Sequence, residues 1–267
     1  MIRKNNLQAI DFEALYCEQK AKTDFKPKEK ADWDKRAPQM RTQLMQSIYN
    51  DAFLKAIDLS DCESLLDVGC GPGNLCLPLA ARLKAVHAMD FSGAMLEALR
   101  QNAAELGATN AQTHELSWED DWSALPRCDA VIASRSMEVS DMGEALRKLN
   151  AQANKRVYVT YKLGGSFIEP EILAAIGREI EPKPDYIYIV NILYNMGINA
   201  TVNFLPSEGK GFNYQDEEAF VKSVLWSLGE LSEMEEKRLR DYYQKRVAAN
   251  DLSDRPVKWV LIGWEKE

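Results

Sequence analysis

Short apolar runs alternate with amphipathic stretches through the middle of the chain. Ser64–Val68, Ala85–Asp90, Ala111–Glu115, Ala130–Ser134 and Arg156–Lys162 read as strands. Between them lie helices. Leu75, Leu77 and Leu79 to Ala81 open one after a glycine turn. Ser92 caps the next, whose apolar face is Leu96, Leu99, Ala103 and Leu106, with Gly107 as its stop. Asp141 and Glu144 form a capping box for a helix that buries Met142, Ala145, Leu146, Leu149 and Ala153. Strand and helix in strict alternation predict an α/β fold with a parallel sheet.

The flanks are less regular. Asp11–Lys22 reads as a helix, Lys22–Lys35 as an exposed stretch of lysines and acids, and Gln39–Ile57 as one long helix. After Gly164-Gly165 the alternation breaks. Glu171–Glu179 reads as a helix and Glu181–Pro184 as a stiff connector. Asp185–Met196 reads as a helix, its length outweighing the strand-like Tyr186–Ile189. Ala200–Leu205 and Val257–Trp264 read as strands. Two capped helices, one begun by Asp216 and one by Ser232 with Glu235, separate them.

The turn Asp67-Val68-Gly69-Cys70-Gly71-Pro72-Gly73-Asn74 joins the first strand to its helix. Its glycines permit a left-handed backbone and close approach to a ligand, and the following helix start favours a negative group. A nucleotide-like molecule with a carboxylate or phosphate suits it. The dinucleotide pattern Gly-x-Gly-x-x-Gly fails, because position 74 is Asn and position 76 is Cys. Cys70 reads as a small residue that fits the turn. Asp90, closing the second strand, is suited to the two hydroxyls of a ribose.

Asp-x-Gly-x-Gly-x-Gly, with Asp90-Phe91-Ser92-Gly93-Ala94-Met95-Leu96 downstream, resembles the class I S-adenosylmethionine (SAM)-dependent methyltransferases. The resemblance is specific over about residues 60–162. It implies a three-layer, Rossmann-like sheet of seven strands, mostly parallel with an antiparallel last strand. N-terminal helices (1–60) would act as a lid, and the methyltransferase domain (61–267) would carry additions at about 163–198 and 213–250. It also implies SAM as cofactor and S-adenosylhomocysteine as product.

The family's pattern places Asp67, Gly69, Cys70, Gly71, Gly73 and Asn74 under the methionine part of SAM. Asp90 falls on the ribose, with Phe91 and Met95 beside the adenine. Trp118 and Glu119, after the third strand, fall at the adenine position. Ser134 and Arg135 follow the fourth strand, and Arg135 could hold either the SAM carboxylate or an anionic substrate. Trp33, in Trp-Asp-Lys-Arg-Ala, resembles loosely a lid element of small-molecule methyltransferases. Tyr161 and Lys162, at the end of the fifth strand, are substrate-side candidates. Strand alternation turns only one of them to a given face. No Asn- or Asp-Pro-Pro-Tyr motif follows the fourth strand, which argues against amino methylation of DNA bases. His87 reads as a core residue, and His114 lies away from the transferring methyl. Phe167, Tyr186, Tyr188, Tyr194, Phe212 and Tyr214 either face a sulfonium or pack the additions onto the sheet.

Composition narrows the partners. The chain has 267 residues, a net charge of −8 and 46% hydrophobic residues. This balance argues against bulk nucleic-acid or membrane binding. The N-terminus lacks a signal-peptide core, and Tyr186–Ile198 is too short to span a bilayer. A soluble cytoplasmic enzyme is therefore expected. Cysteines 17, 62, 70, 76 and 128 form no Cys-x-x-Cys pair, so neither metal nor disulfide framework is expected. The leading expectation is methyl transfer to a small molecule. The alternatives are a SAM-utilising enzyme acting on transfer RNA and a SAM-binding protein without catalysis. The sequence sets no oligomeric state and no acceptor.

Overall fold

The computed structural model describes residues 6–25, 27–43, 47–208, 214–252 and 257–266. Its centre is a seven-stranded sheet: β1 (Ser64–Val68), β2 (Ala85–Asp90), β3 (Ala111–Glu115), β4 (Cys128–Ala133), β5 (Ala153–Lys162), β6 (Thr201–Leu205) and β7 (Trp259–Glu265). The strand order is β3-β2-β1-β4-β5-β7-β6. β1 to β5 pair in parallel, and β7 runs antiparallel to both β5 and β6. This is the Rossmann-like methyltransferase arrangement that the sequence implied. The order reverses between β1 and β4, so the carboxyl ends of those strands open a crevice.

Ten α-helices surround the sheet among the described residues. They are α1 (Phe12–Lys22), α2 (Lys30–Gln43), α3 (Ile48–Ala56), α4 (Cys76–Ala80), α5 (Gly93–Leu106), α6 (Met142–Gln152), α7 (Pro170–Ile176), α8 (Tyr186–Asn195), α9 (Glu217–Leu228) and α10 (Glu233–Ala248). None is long and apolar enough to cross a membrane. Side chains alternate across each strand, and helices cover both faces of the central strands, while the edge strands β3 and β6 stay more exposed. Leu66, Val68, Val131, Val157 and Ile262 pack towards α1, α6 and α8. Leu65, Val86, Ala88, Ile132 and Leu261 pack towards α3, α4 and α5. A third, smaller core joins the two additions: Ile172 and Ile176 of α7 meet Phe220 and Val224 of α9, Leu239 of α10, and Phe25.

The expected caps form. Ser92 Oγ accepts the Met95 N–H at 3.1 Å, and Asp141 accepts that of Glu144 at 2.9 Å, although the Glu144 carboxylate turns to Arg147 and does not complete the expected capping box. Ser232 and Glu235 make the reciprocal capping box.

Other expectations need correction. Gln39–Ile57 is not one helix. α2 begins at Lys30, inside the stretch read as exposed, and ends by Gln43. Ser47 is extended and caps α3 through the Asn50 N–H at 3.0 Å, a separate start. Ala153 opens β5 rather than completing a helix face, and the helix expected over Glu171–Glu179 stops at Ile176. Phe212 lies outside the described residues.

Candidate active site

The glycine turn is fastened to the second strand by its backbone. The N–H groups of Gly69 and Cys70 both donate to the Met89 carbonyl, at 2.7 and 3.0 Å. From α5, the Asn102 amide donates to the Pro72 carbonyl at 3.0 Å. Gly69 has φ +71°, and a Cβ there would lie 2.3 Å from the Cβ of Ser136. Only glycine lets the loop after β4 settle so closely on the turn. Ser136 completes that contact by donating its hydroxyl to the Val68 carbonyl at 2.7 Å.

Asp90 connects the turn to the next helix. One carboxylate oxygen accepts the Gly71 N–H and the other the Ser92 N–H, both at 2.9 Å. The side chain is 7% exposed. Burial pushes its carboxyl up, while the N–H groups of Ser92 and Gly71 oppose that shift. Asp67 is fully enclosed, and burial raises its carboxyl to about 7, partly offset by a hydrogen bond from Cys76. Burial pushes the Cys70 thiol well up, so it is no ready nucleophile.

Helix α2 stands along the Asp90 side of the crevice. Lys30 pairs with Glu115 at the end of β3, and Ser92 donates its hydroxyl to Asp34 at 2.6 Å. Trp33 packs edge-to-face on Trp226 of α9, with ring centres 5.9 Å apart, and so ties α2 to the C-terminal addition. Trp118 donates its indole N–H to the Ser136 carbonyl at 3.1 Å and packs on Trp122, while Glu119 is exposed. Phe91 is half-buried and Met95 is buried. His87 and His114 bond to each other at 3.0 Å across β2 and β3.

Beyond β4, hydroxyl groups organise the chain. The Tyr49 hydroxyl lies 2.6 Å from Ser134 Oγ and 2.8 Å from Thr160 Oγ1. Thr160 also accepts the Arg135 N–H at 2.9 Å. Arg135 takes φ +57°, unusual for a residue with a side chain, and its guanidinium lies 4.3 Å from the centre of the Tyr49 ring. Tyr49, Ser136, Thr160 and Asp34 did not stand out in the sequence. Each acts through partners distant in the chain.

The ambiguity at the end of β5 is resolved. Tyr161 turns to the core that contains Tyr16, its hydroxyl buried beside that of Tyr16. Burial pushes it far up. Lys162 turns the other way, with its Nζ 4.8 Å from the Phe167 ring centre. Burial lowers it to about 8, partly opposed by Asp185. Lys20 and Lys183 both bond Glu138, at 3.0 and 2.6 Å. Although burial pushes the Glu138 carboxyl up, these lysines hold it below its ordinary value.

Most of the aromatic residues expected near the site serve as packing. Tyr188 meets Tyr16 edge-to-face, Tyr186 meets Phe204, and Tyr214 stacks on Phe220. Tyr194 is partly exposed.

The glycine turn leaves open space and an unpaired polar atom. Nothing lies within 4 Å of the place a Cβ on Gly71 would occupy, although the residue has φ +54°. The Asn74 side-chain oxygen is buried without a hydrogen-bond partner. Each Asp90 oxygen holds one N–H and retains acceptor capacity for a hydroxyl.

Comparison with known proteins agrees with this fold. Residues 65–155 match a family model described as "Methyltransferase domain". An uncharacterized protein of Haemophilus influenzae is 40% identical over 235 residues, covering 87% of this chain and 88% of the relative. The trans-aconitate 2-methyltransferase of Rhodococcus jostii is 28% identical over 120 residues, 44% of each chain. A crystal structure of coclaurine N-methyltransferase, bound to N-methylheliamine and S-adenosylhomocysteine, shares the fold. Its TM-score is 0.53 at 14% identity, covering 97% of this chain and 96% of that one. The chain belongs to the class I, Rossmann-like SAM-dependent methyltransferases.

Proposed function

We propose that this methyltransferase acts on a small molecule held beyond the carboxyl ends of β4 and β5. The observation that carries the reading is how the chain covers that end of its own sheet. The Tyr16 hydroxyl of α1 donates to the Val139 carbonyl at 2.8 Å. Gln19 bonds the carbonyls of Pro182 and Lys183, both at 3.3 Å, and accepts the Tyr188 hydroxyl at 2.7 Å. Helix α1 and the addition after β5 are thus joined to one another and to the loop that follows β4. A covered site suits a small acceptor better than a folded RNA. The net charge of −8 points the same way. So does the relative that methylates trans-aconitate.

In this reading the turn from Gly69 to Asn74, with Asp67 beneath it, holds the methionine part of SAM. Asp90 holds the ribose. Phe91, Met95, Trp118 and Glu119 border the adenine, and Trp33 helps to close α2 over it. Ser134 and Arg135 face the methyl group and Lys162 lies on the acceptor side, while Tyr161, turned into the core beside Tyr16, supports that end of β5 from behind. The sulfonium supplies an activated methyl group. The protein's task is therefore to align the acceptor and exclude water. The Tyr49, Ser134 and Thr160 hydroxyls serve alignment by fixing β4 against β5.

The test supplies SAM with a labelled methyl group, a bacterial small-molecule extract and, separately, transfer RNA. Label should appear in the small-molecule extract. Label in transfer RNA alone would make the enzyme an RNA methyltransferase. Tight SAM binding with label nowhere would indicate a binding protein without catalysis.

A further inference from the structure

We propose that the acceptor carries a carboxylate, and that Lys162 and Arg135, at the two ends of a row of aromatic rings, draw it in. This rests on the small-molecule reading above.

The row begins at Tyr49. Its ring centre is 5.8 Å from that of Trp259, which is 6.4 Å from that of Phe167. Cations sit at both ends, with Lys183, paired to Glu138, also 4.8 Å from the Phe167 ring centre. The Arg135 guanidinium lies over Tyr49 at 4.3 Å and the Lys162 ammonium over Phe167 at 4.8 Å. One strand fixes their relation. Thr160, which binds both the Arg135 N–H and the Tyr49 hydroxyl, stands on the same face of β5 as Lys162, two residues on.

Charge then selects the ligand. Lys20 and Lys183 are matched by Glu138. Asp185 is occupied with the N–H groups of Gly164 and Tyr186, at 3.2 and 2.6 Å. Among the described residues no carboxylate lies within 4.0 Å of either Lys162 or Arg135. Lys162 therefore bears a charge that burial disfavours and that Asp185 and Glu138 repay only in part, neither forming an ion pair with it. A carboxylate against the Lys162 ammonium relieves that cost and gains a charge-assisted hydrogen bond, with Arg135 adding positive charge from the other end of the row. A cationic amine would meet repulsion from both. This positive spot lies in a chain whose net charge is −8, so it is not a consequence of overall composition.

The experiment divides the small-molecule extract on anion- and cation-exchange resins at pH 8 and assays each fraction with methyl-labelled SAM. Transfer RNA is assayed in parallel. Label is expected in the fraction held by the anion exchanger. At limiting extract, Lys162→Gln and Arg135→Gln should each lower the rate about tenfold or more. Affinity for S-adenosylhomocysteine, measured by calorimetry, should stay within about twofold of wild type, because the lost contact is to the acceptor. Label in the cation-exchange or unretained fraction would overturn the carboxylate and leave small-molecule methylation standing. Label in transfer RNA alone, or nowhere, would overturn that underlying reading as well. Variants that methylate the anionic fraction at wild-type rates would overturn the assignment to these two residues. A loss of S-adenosylhomocysteine affinity in Arg135→Gln would remove Arg135 from the acceptor site.

Discussion

Asp90→Ala should weaken S-adenosylhomocysteine binding by about tenfold to a few hundredfold. Hydrogen bonds to a charged group are worth about 1.5–3 kcal/mol each, and about 1.4 kcal/mol is one decade of affinity. The same carboxylate also accepts the N–H groups of Gly71 and Ser92. The substitution therefore costs stability as well, about 1–3 kcal/mol for each donor left buried and unpaired. Circular dichroism must show that the variant is folded before the titration is read. Asp90→Asn keeps one acceptor oxygen and should fall between wild type and Asp90→Ala on both measures. Glu119→Ala should cost less affinity, since Glu119 is exposed and its carboxylate organises no part of the turn. A folded Asp90→Ala protein with wild-type affinity would mean that the ribose is held elsewhere.

Gly69→Ala should damage both the fold and the site. A left-handed backbone costs a residue with a side chain about 1–2 kcal/mol. The new methyl group would also lie 2.3 Å from Ser136 Cβ and 2.9 Å from its Oγ. Ser136 cannot simply turn aside, because its hydroxyl holds the Val68 carbonyl and its own carbonyl holds Trp118. The whole loop after β4 has to move. Melting should fall by several degrees, at about 2–4 °C per kcal/mol for a chain of this order of size, and S-adenosylhomocysteine binding should be lost. Gly71→Ala is the control. Its Cβ meets no protein atom within 4 Å, so the backbone term alone applies to stability. It too should lose affinity, because the methyl group enters the space left for ligand. Gly69→Ala with wild-type melting and binding would show that the contact with Ser136 is slack.

The difference between these two glycines was not legible in the sequence. Both stood out as permissive positions in a turn. The restriction at Gly69 comes from Ser136, which belongs to another loop and arrives only when β4 pairs with β1. Elsewhere local signals suffice. β1, β2 and β3 have the expected bounds, because each is a short apolar or alternating run between marked turns. The caps at Ser92, Asp141 and Ser232 were equally local.

Helix α2 shows where such reading stops. It has no clear apolar stripe, and it contains Pro38. Polar contacts to distant segments hold it instead: Lys30 to Glu115, Asp34 to Ser92 and Arg41 to Glu105. Tyr49 looked like an ordinary apolar helix position. Its role depends on Ser134 and Thr160, much further along the chain. Strand period alone could say that Tyr161 and Lys162 point opposite ways. The packing of Tyr16 against one face decides which way each points.

Calorimetric titration of the purified protein with S-adenosylhomocysteine, and in parallel with NAD, tests the centre of this picture most directly. One S-adenosylhomocysteine should bind per chain, and NAD should give no response, because Asn74 stands where a dinucleotide loop needs glycine. Heat from NAD with none from S-adenosylhomocysteine would contradict the reading of the glycine turn and of Asp90 together.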